Sequence, residues 1–318
     1  MRAIRASCHV VARPAPVRVT VLNLHPTCDD GASTEVKQVS EVAQRSRVLD
    51  LALACHPGPT VAVSVFSVAM AAGAGAPAAT TALVGAAILT GQLSVGWSND
   101  WIDAGRDAAV GRTDKPVGTG RLAVSTVRTA ALGAAAACVV LSLALGWRAG
   151  LVHLATVASA WAYNARLKST VWSWAPYAFS FGFLPLAIAL ALPGAPVAAW
   201  WAMAAGALLG IGAHGANVIP DLQDDHATGV RGLPHRVGGT VTSIGTALAL
   251  VAATVLVVLA PPGPPRAAAA AALVVALGLT IAATVLALGG GRHRLPFVFA
   301  IAVAAVDVVL LVLSDWVA

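Results

Sequence analysis

The stretch "SNDWIDAGRDAAVGRTDKPVGTG", residues 98–120, sets four aspartates within fifteen residues of a chain that is otherwise strongly apolar. Asp100, Asp103 and Asp107 stand at i, i+3 and i+7. At about 100° per residue these fall within about 60° of arc on a helix, so three carboxylates share one face. Like charges so placed repel one another, an arrangement tolerated mainly where a cation sits among them. A second group, "PDLQDD", holds Asp221, Asp224 and Asp225 at i, i+3 and i+4. Arg112, Lys115 and Arg231 lie close to the carboxylates in sequence. Such a set suits a ternary chemistry in which the acids hold Mg²⁺, the metal bridges to phosphate oxygens, and Arg and Lys take the remaining oxygens. All-oxygen ligands favour Mg²⁺ over zinc.

One such cluster alone reads as a solvated loop that marks a membrane boundary. Two of matching form argue for a site. A shift of 121 residues aligns Asp100 with Asp221, Asp103 with Asp224, Gly111 with Gly232, Lys115 with Arg236, Gly118 with Gly239 and Thr119 with Thr240. This predicts a diverged internal repeat, each half presenting DxxD and a basic residue at the mouth of a bundle.

The elements that must position these residues are helices in lipid. The 318 residues are 58% hydrophobic and 11% charged, against about 25% charged in soluble domains. Apolar stretches near the length of a membrane span occur at roughly 58–76, 78–98, 125–147, 149–165, 172–192, 197–217, 239–260, 267–289 and 296–314. The expectation is an all-α polytopic membrane protein with nine transmembrane helices. With the N-terminus inside, eighteen of the twenty Lys and Arg residues fall on the cytoplasmic side, leaving Arg148 and Arg266 outside. That asymmetry places the N-terminus and both acidic loops in the cytoplasm, in a multi-pass cell-membrane protein. It also accounts for the net charge of +6 without a nucleic-acid partner.

Residues 1–47 carry charges and prolines and no long apolar run. They read as a flexible cytosolic extension ahead of a membrane domain over 48–318, with an amphipathic interfacial segment at Val42–Leu53. The four cysteines show no CxxC spacing, hence neither a disulfide framework nor a zinc site.

"NDWIDAGRDAAVGRTDKPVGTGRL" resembles the NDxxDxxxD motif, with its downstream Arg and Lys-Pro, of the UbiA superfamily of intramembrane prenyltransferases. "NVIPDLQDDHATGVRGLP" resembles that family's second motif through Asp221, Asp225, Gly229 and Arg231. "YNARLKST", residues 163–170, is similar to its Tyr and Lys segment, with Tyr163 and Lys168 one residue further apart than in YxxxK. The resemblance runs from Leu51 to the C-terminus and implies a helical bundle around a central cavity, capped by the motif loops.

It further implies a prenyl diphosphate substrate, a lipophilic acceptor of aromatic or quinone-precursor type, Mg²⁺ as cofactor, and membrane lipid as surroundings. Asp100, Asp103, Asp107, Asp221, Asp224 and Asp225 are the implied metal ligands. Asp100, Asp103, Asp221 and Asp225 are the implied catalytic residues, with Asn99, Arg112, Lys115, Tyr163, Lys168 and Arg231 on the substrate. Trp97, Trp101, Tyr163, Trp172, Trp174, Tyr177 and Phe181 are candidates to face an allylic cation; packing is the simpler role for each. Asp307, intramembrane and alone, is expected to make a helix–helix hydrogen bond. A terpene cyclase using the same ionisation without an acceptor, and a membrane transporter, remain the alternatives. A phosphoribosyl-transfer relative would show His-Pro after the first motif, which "AAVGRTDKP" lacks.

Overall fold

Because prolines stand at the first turns of several helices, where a missing N–H costs nothing, and glycines in left-handed backbone close several others, the chain is divided into helices with short connections. The structure, a computed structural model, describes residues 46–109, 111, 115–222, 225, 229–263, 267–289 and 294–317. Its helices are α1 (Ser46–Ala54), then α2 (Pro57–Gly73), α3 (Ala78–Ala109), α4 (Val124–Ala144), α5 (Trp147–Ala165), α6 (Ala175–Ala191), α7 (Trp200–Val218), α8 (Leu233–Val237), α9 (Gly239–Leu259), α10 (Ala267–Leu288) and α11 (Leu295–Val312). Short 3₁₀ turns at Leu167–Ser169 and Ile219–Asp221 follow α5 and α7.

Each predicted span coincides with one of these helices. Length and composition alone qualify six for crossing a membrane, and a seventh if α1 and α2, bent by 68° at their junction, are taken as one span. Apolar α6, at seventeen residues, is shorter. The all-helical, integral-membrane class therefore stands, while a count of nine spans goes beyond what length and apolarity establish.

Sequential helices from α2 to α7 pack side by side, α7 packs on α9, and α9, α10 and α11 follow in turn. Helix α11 then returns to α2, closing the ring. The α6–α7 seam is tight because Gly206 and Gly210, spaced as GxxxG, lie where a Cβ would strike the carbonyl oxygens of Phe181 and Tyr177; in lipid, such backbone proximity is what holds helices together. A core of Met70, Ile88, Ile188, Trp201, Val257 and Leu311 fills one end of the ring. There the C-terminal residues clip onto the start of α7 through Ala199 N–H donating to the Trp316 carbonyl at 2.8 Å. Outward faces carry exposed Val140, Leu248 and Val274, as expected where lipid, not water, is the neighbour.

Helix α3 answers the question raised by its aspartates. At 1.5 Å per residue its 32 residues extend about 48 Å, well past a hydrocarbon core of about 30 Å,. The span predicted at 78–98 does not stop at the motif. It continues as one helix to Ala109, so the acidic turns are rigidly attached to the bundle.

Candidate active site

Gln92, Val95, Gly96, Asn99, Asp103, Arg106 and Asp107 all line one cavity of about 260 Å³. Their three- and four-residue spacing is one face of α3. Asp103 accepts from Lys168 Nζ at 2.5 and 2.6 Å and from Arg106 at 2.5 Å. Lys115 Nζ stands 3.1 Å from Asp107 Oδ2, 2.9 Å from Asp100 Oδ1 and 3.4 Å from Asn99 Oδ1. Asn99 also donates to Asn164 Oδ1 at 3.3 Å, and Asn164 in turn donates to Ser98 and the Val95 carbonyl. Asn99 therefore bridges α3 to Asn164 of α5 and to Lys115.

The two lysines differ in electrostatic character. Burial works against charge on Lys115, but Asp100 and Asp107 outweigh it and raise its pKa. For Lys168 burial prevails over the help of Asp103, and its pKa is lowered.

Asp100 departs from its expected place. It is 2% exposed and does not line the cavity; it points to the flank, where Oδ1 faces His56 Nε2 at 3.1 Å as well as Lys115. The physical reason is rotational: position 100 lies about 80° from the middle of the cavity face of α3. Sharing an arc with Asp103 and Asp107 is not the same as sharing their outlook.

Asp221, closing the 3₁₀ turn after α7, and Asp225 line the same cavity as Asp103 and Asp107. His235 lies 3.2 Å from Asp225 Oδ2. The second loop is docked on the Lys168 turn: a Cβ at Gly232 would meet the Lys168 carbonyl, and Leu233 N–H donates to Ser173 Oγ at 3.0 Å, which also contacts His214 Nε2 at 3.1 Å. The structure thus brings together Asn99, Asp103, Asp107, Lys115, Tyr163, Lys168, Asp221 and Asp225. It leaves out Arg231, which is exposed and off the cavity wall, its carbonyl accepting from Arg236 Nε at 3.0 Å. Arg236 is likewise exposed, so the repeat does not give Lys115 a counterpart of equal burial. Arg112 and Asp224, like Asp114 and His226, lie outside the described residues.

Of the aromatic candidates, Tyr163, Tyr177 and Phe181 reach the cavity. Tyr163 stands edge-on to Tyr177 at 5.1 Å and to His214 at 5.8 Å. Trp97 is used elsewhere, its indole donating to the Leu51 carbonyl at 2.8 Å. Residues that spacing did not single out also line the wall: His56, Asn164, Asn217 and Arg294. Asn164, next to Tyr163, and Asn217, which opens the quoted second-motif segment, carried a signal; His56 and Arg294 did not.

A second cavity, of about 100 Å³, shares Pro59, Val63, Phe181, Ala213 and Phe297 with the first and is lined by Phe66, Met70, Leu184 and other apolar side chains. Among the described residues its one ionisable wall residue is Asp307, which accepts from Thr254 Oγ1 at 3.2 Å, the expected helix–helix bond. The two cavities adjoin across these shared residues, the first walled in part by charged groups and the second almost wholly by hydrocarbon.

The donor set on the wall suits a hard divalent cation, since Asp103, Asp107, Asp221 and Asp225 offer only carboxylate oxygens. Among the described residues no three acidic, histidine or cysteine side chains form a ready-made cage. That agrees with Mg²⁺, which takes one or two carboxylates and completes its octahedron with phosphate oxygens and water.

The family model described as the UbiA prenyltransferase family matches residues 60–304. Among solved structures, a UbiA homolog from Aeropyrum pernix K1 is 18% identical, with 80% of this chain and 98% of that one covered at a TM-score of 0.65. A UbiA homolog from Archaeoglobus fulgidus, bound to GPP and Mg²⁺, is 14% identical, covering 82% and 96% at 0.64. A structure concerned with digeranylgeranylglyceryl phosphate synthase is 13% identical, covering 84% and 98% at 0.59. No curated protein matches the chain. Identities this low speak for the fold; the family match, which takes in both acidic motifs, the Lys168 turn and most of the ring of helices, speaks for more: the chain belongs to the UbiA prenyltransferase family.

Proposed function

We propose that this protein transfers a prenyl group from an allylic prenyl diphosphate to a lipophilic acceptor, aromatic or quinone-precursor in type, with Mg²⁺ as cofactor and release of diphosphate. The observation that carries the reading is a cavity walled by charged groups with an apolar cavity directly adjoining it across five shared wall residues. A prenyl diphosphate has the same two halves. Support also comes from the Archaeoglobus homolog, which binds GPP and Mg²⁺.

Asp103, Asp107, Asp221 and Asp225 would hold the metal, and bound Mg²⁺ would supply charge stabilisation for the departing diphosphate. Lys115, Lys168 and Arg106 then exchange carboxylate for phosphate oxygens, so that donors already oriented in the wall meet the charge that develops on the leaving group. The C–O bond breaks with its electron pair leaving on the diphosphate. The allylic cation is faced by Tyr163, Tyr177 and Phe181, and the apolar depth excludes water. An acceptor carbon forms the new bond and loses its proton.

The acidic mouth faces the cytoplasm in this reading, as the basic asymmetry supports. Cysteines introduced at Ala109 and Ala227 are then labelled from the inner side by an impermeant reagent. Residues 1–47 act as an extension outside the catalytic domain, so a chain starting near Ser46 retains turnover. The direct test incubates purified protein and Mg²⁺ with prenyl diphosphates of several lengths, with and without acceptors, and reads products by mass spectrometry. Acceptor-dependent prenylated product is expected. Acceptor-independent hydrocarbon identifies a cyclase instead, and transport without diphosphate release identifies a transporter.

A further inference from the structure

We propose that His56, presented by the elbow between α1 and α2, is a positioning residue that holds Asp100 and, through it, sets Lys115 for a diphosphate; the inference rests on the diphosphate reading above. His56 precedes the segment matched by the family model, which begins at residue 60, so the motifs do not account for it. Four independent features of this chain do.

The first is the contact. Asp100 Oδ1 is shared by His56 Nε2 at 3.1 Å and Lys115 Nζ at 2.9 Å. A carboxylate oxygen only accepts, so Nε2 carries a proton and donates. Asp100 itself is 2% exposed and stands behind the cavity wall, whereas both of its partners are on the wall. Its charge is thus directed to two donors on different segments of chain, the arrangement by which groups one step removed from a ligand orient those that touch it.

The second is backbone strain. His56 has φ 56° and ψ 67°, a left-handed conformation that is unfavourable for a residue with a Cβ and that concentrates at functional sites. Glycine would relieve it. A histidine kept there indicates that the ring is needed.

The third is how firmly the elbow is fastened. Thr60 Oγ1 donates to the Cys55 carbonyl at 2.8 Å, Trp97 Nε1 to the Leu51 carbonyl at 2.8 Å, and Arg121 pairs with Asp50 at 3.3 Å. The fourth is the approach of α3, which is possible because position 96 is glycine; a Cβ there would strike the Cys55 backbone. The elbow is therefore seated on the same turn of α3 that bears the first motif.

The experiment uses full-length protein in detergent and measures inorganic pyrophosphate binding in the presence of Mg²⁺ by calorimetry, with thermal melting alongside. His56→Leu is expected to weaken binding about tenfold or more, the usual scale for losing an outer partner. His56→Gln, which retains a donor at nearly the same reach, is expected to stay within about threefold of the unmodified protein. His56→Gly, which relieves the backbone strain but lacks the ring, is expected to bind as weakly as His56→Leu. In a Lys115→Met background, His56→Leu is expected to add little, since the two act as a unit.

Unchanged affinity in His56→Leu overturns the inference, as does a loss in His56→Gln as large as in His56→Leu. A His56→Gly protein that binds pyrophosphate as tightly as the unmodified protein also overturns it, because the ring is then not what positions Asp100. Full additivity with Lys115→Met does the same. Failure of the unmodified protein to bind either pyrophosphate or a prenyl diphosphate falls on the diphosphate reading itself and removes this inference with it.

Discussion

The two acidic motifs reach one cavity by different means. The first is carried on an unbroken helix, and its charges are matched internally: Asp103 by Lys168 and Arg106, Asp107 by Lys115, Asp100 by Lys115 and His56. The second sits where α7 tightens into a 3₁₀ turn, and its approach to the cavity depends on the docking of residues 232–233 against the Lys168 turn and Ser173. The first half is held by ion pairs along a rigid helix, and the second, which has the Asp225–His235 contact of its own, also leans on a docked loop. Removing a carboxylate from the first half should therefore disturb stability and chemistry together, whereas in the second half the seat of the loop can be tested apart from its carboxylates.

The largest effect is expected from Asp103→Asn. It leaves Lys168, whose side chain is 8% exposed, without its carboxylate, and breaking a buried pair from one side costs about 3–5 kcal/mol. Product formation should fall by about 10²-fold or more, with a clear drop in melting temperature. An unchanged melting temperature would mean the ion pairs of the first half contribute nothing to folding.

Asp221→Asn should reduce product formation to a similar extent. The double variant Asp103→Asn/Asp221→Asn should be little slower than either alone, because groups that act as a unit are not additive. Multiplicative losses would separate the two halves into independent sites.

Gly232→Ala tests the docking. Its added methyl group has to displace the Lys168 carbonyl, an overpacking that costs about 1–3 kcal/mol. Turnover should drop about tenfold, and the loss should appear in affinity for diphosphate as well as in rate. Normal kinetics in this variant would show that the loop reaches the cavity without its seat.

Arg231→Ala, the smallest, should change melting by less than about 0.5 kcal/mol, as at other surface positions, and leave diphosphate affinity intact. A tenfold loss of affinity would return Arg231 to the site and show that the second loop rearranges when substrate binds.

Much of this molecule could be read from the chain alone. Helical membrane class, the rough extent of each helix and the presence of two related acidic motifs are legible because hydrophobic length and carboxylate spacing are local properties, set by helix pitch and by the cost of charge in lipid. Asp307 shows the same: one acid within an apolar run needs a partner on a neighbouring helix, and Thr254 supplies it.

What the chain alone could not decide is direction and partnership. Three aspartates within 60° of arc look equivalent until the neighbours of α3 are known. The elbow before α2 then claims Asp100, while the cavity receives Asp103 and Asp107. Arg231 and Lys115 are both basic and each follows a motif by a few residues, yet one is exposed and the other is largely enclosed by three acceptors. His56 had no spacing to mark it, because its partner lies 44 residues away. Period and composition act along one helix at a time. Which side chain meets which, and which of them faces the ligand, is settled only when the helices close into a ring and the loops between them compete for the same few oxygens.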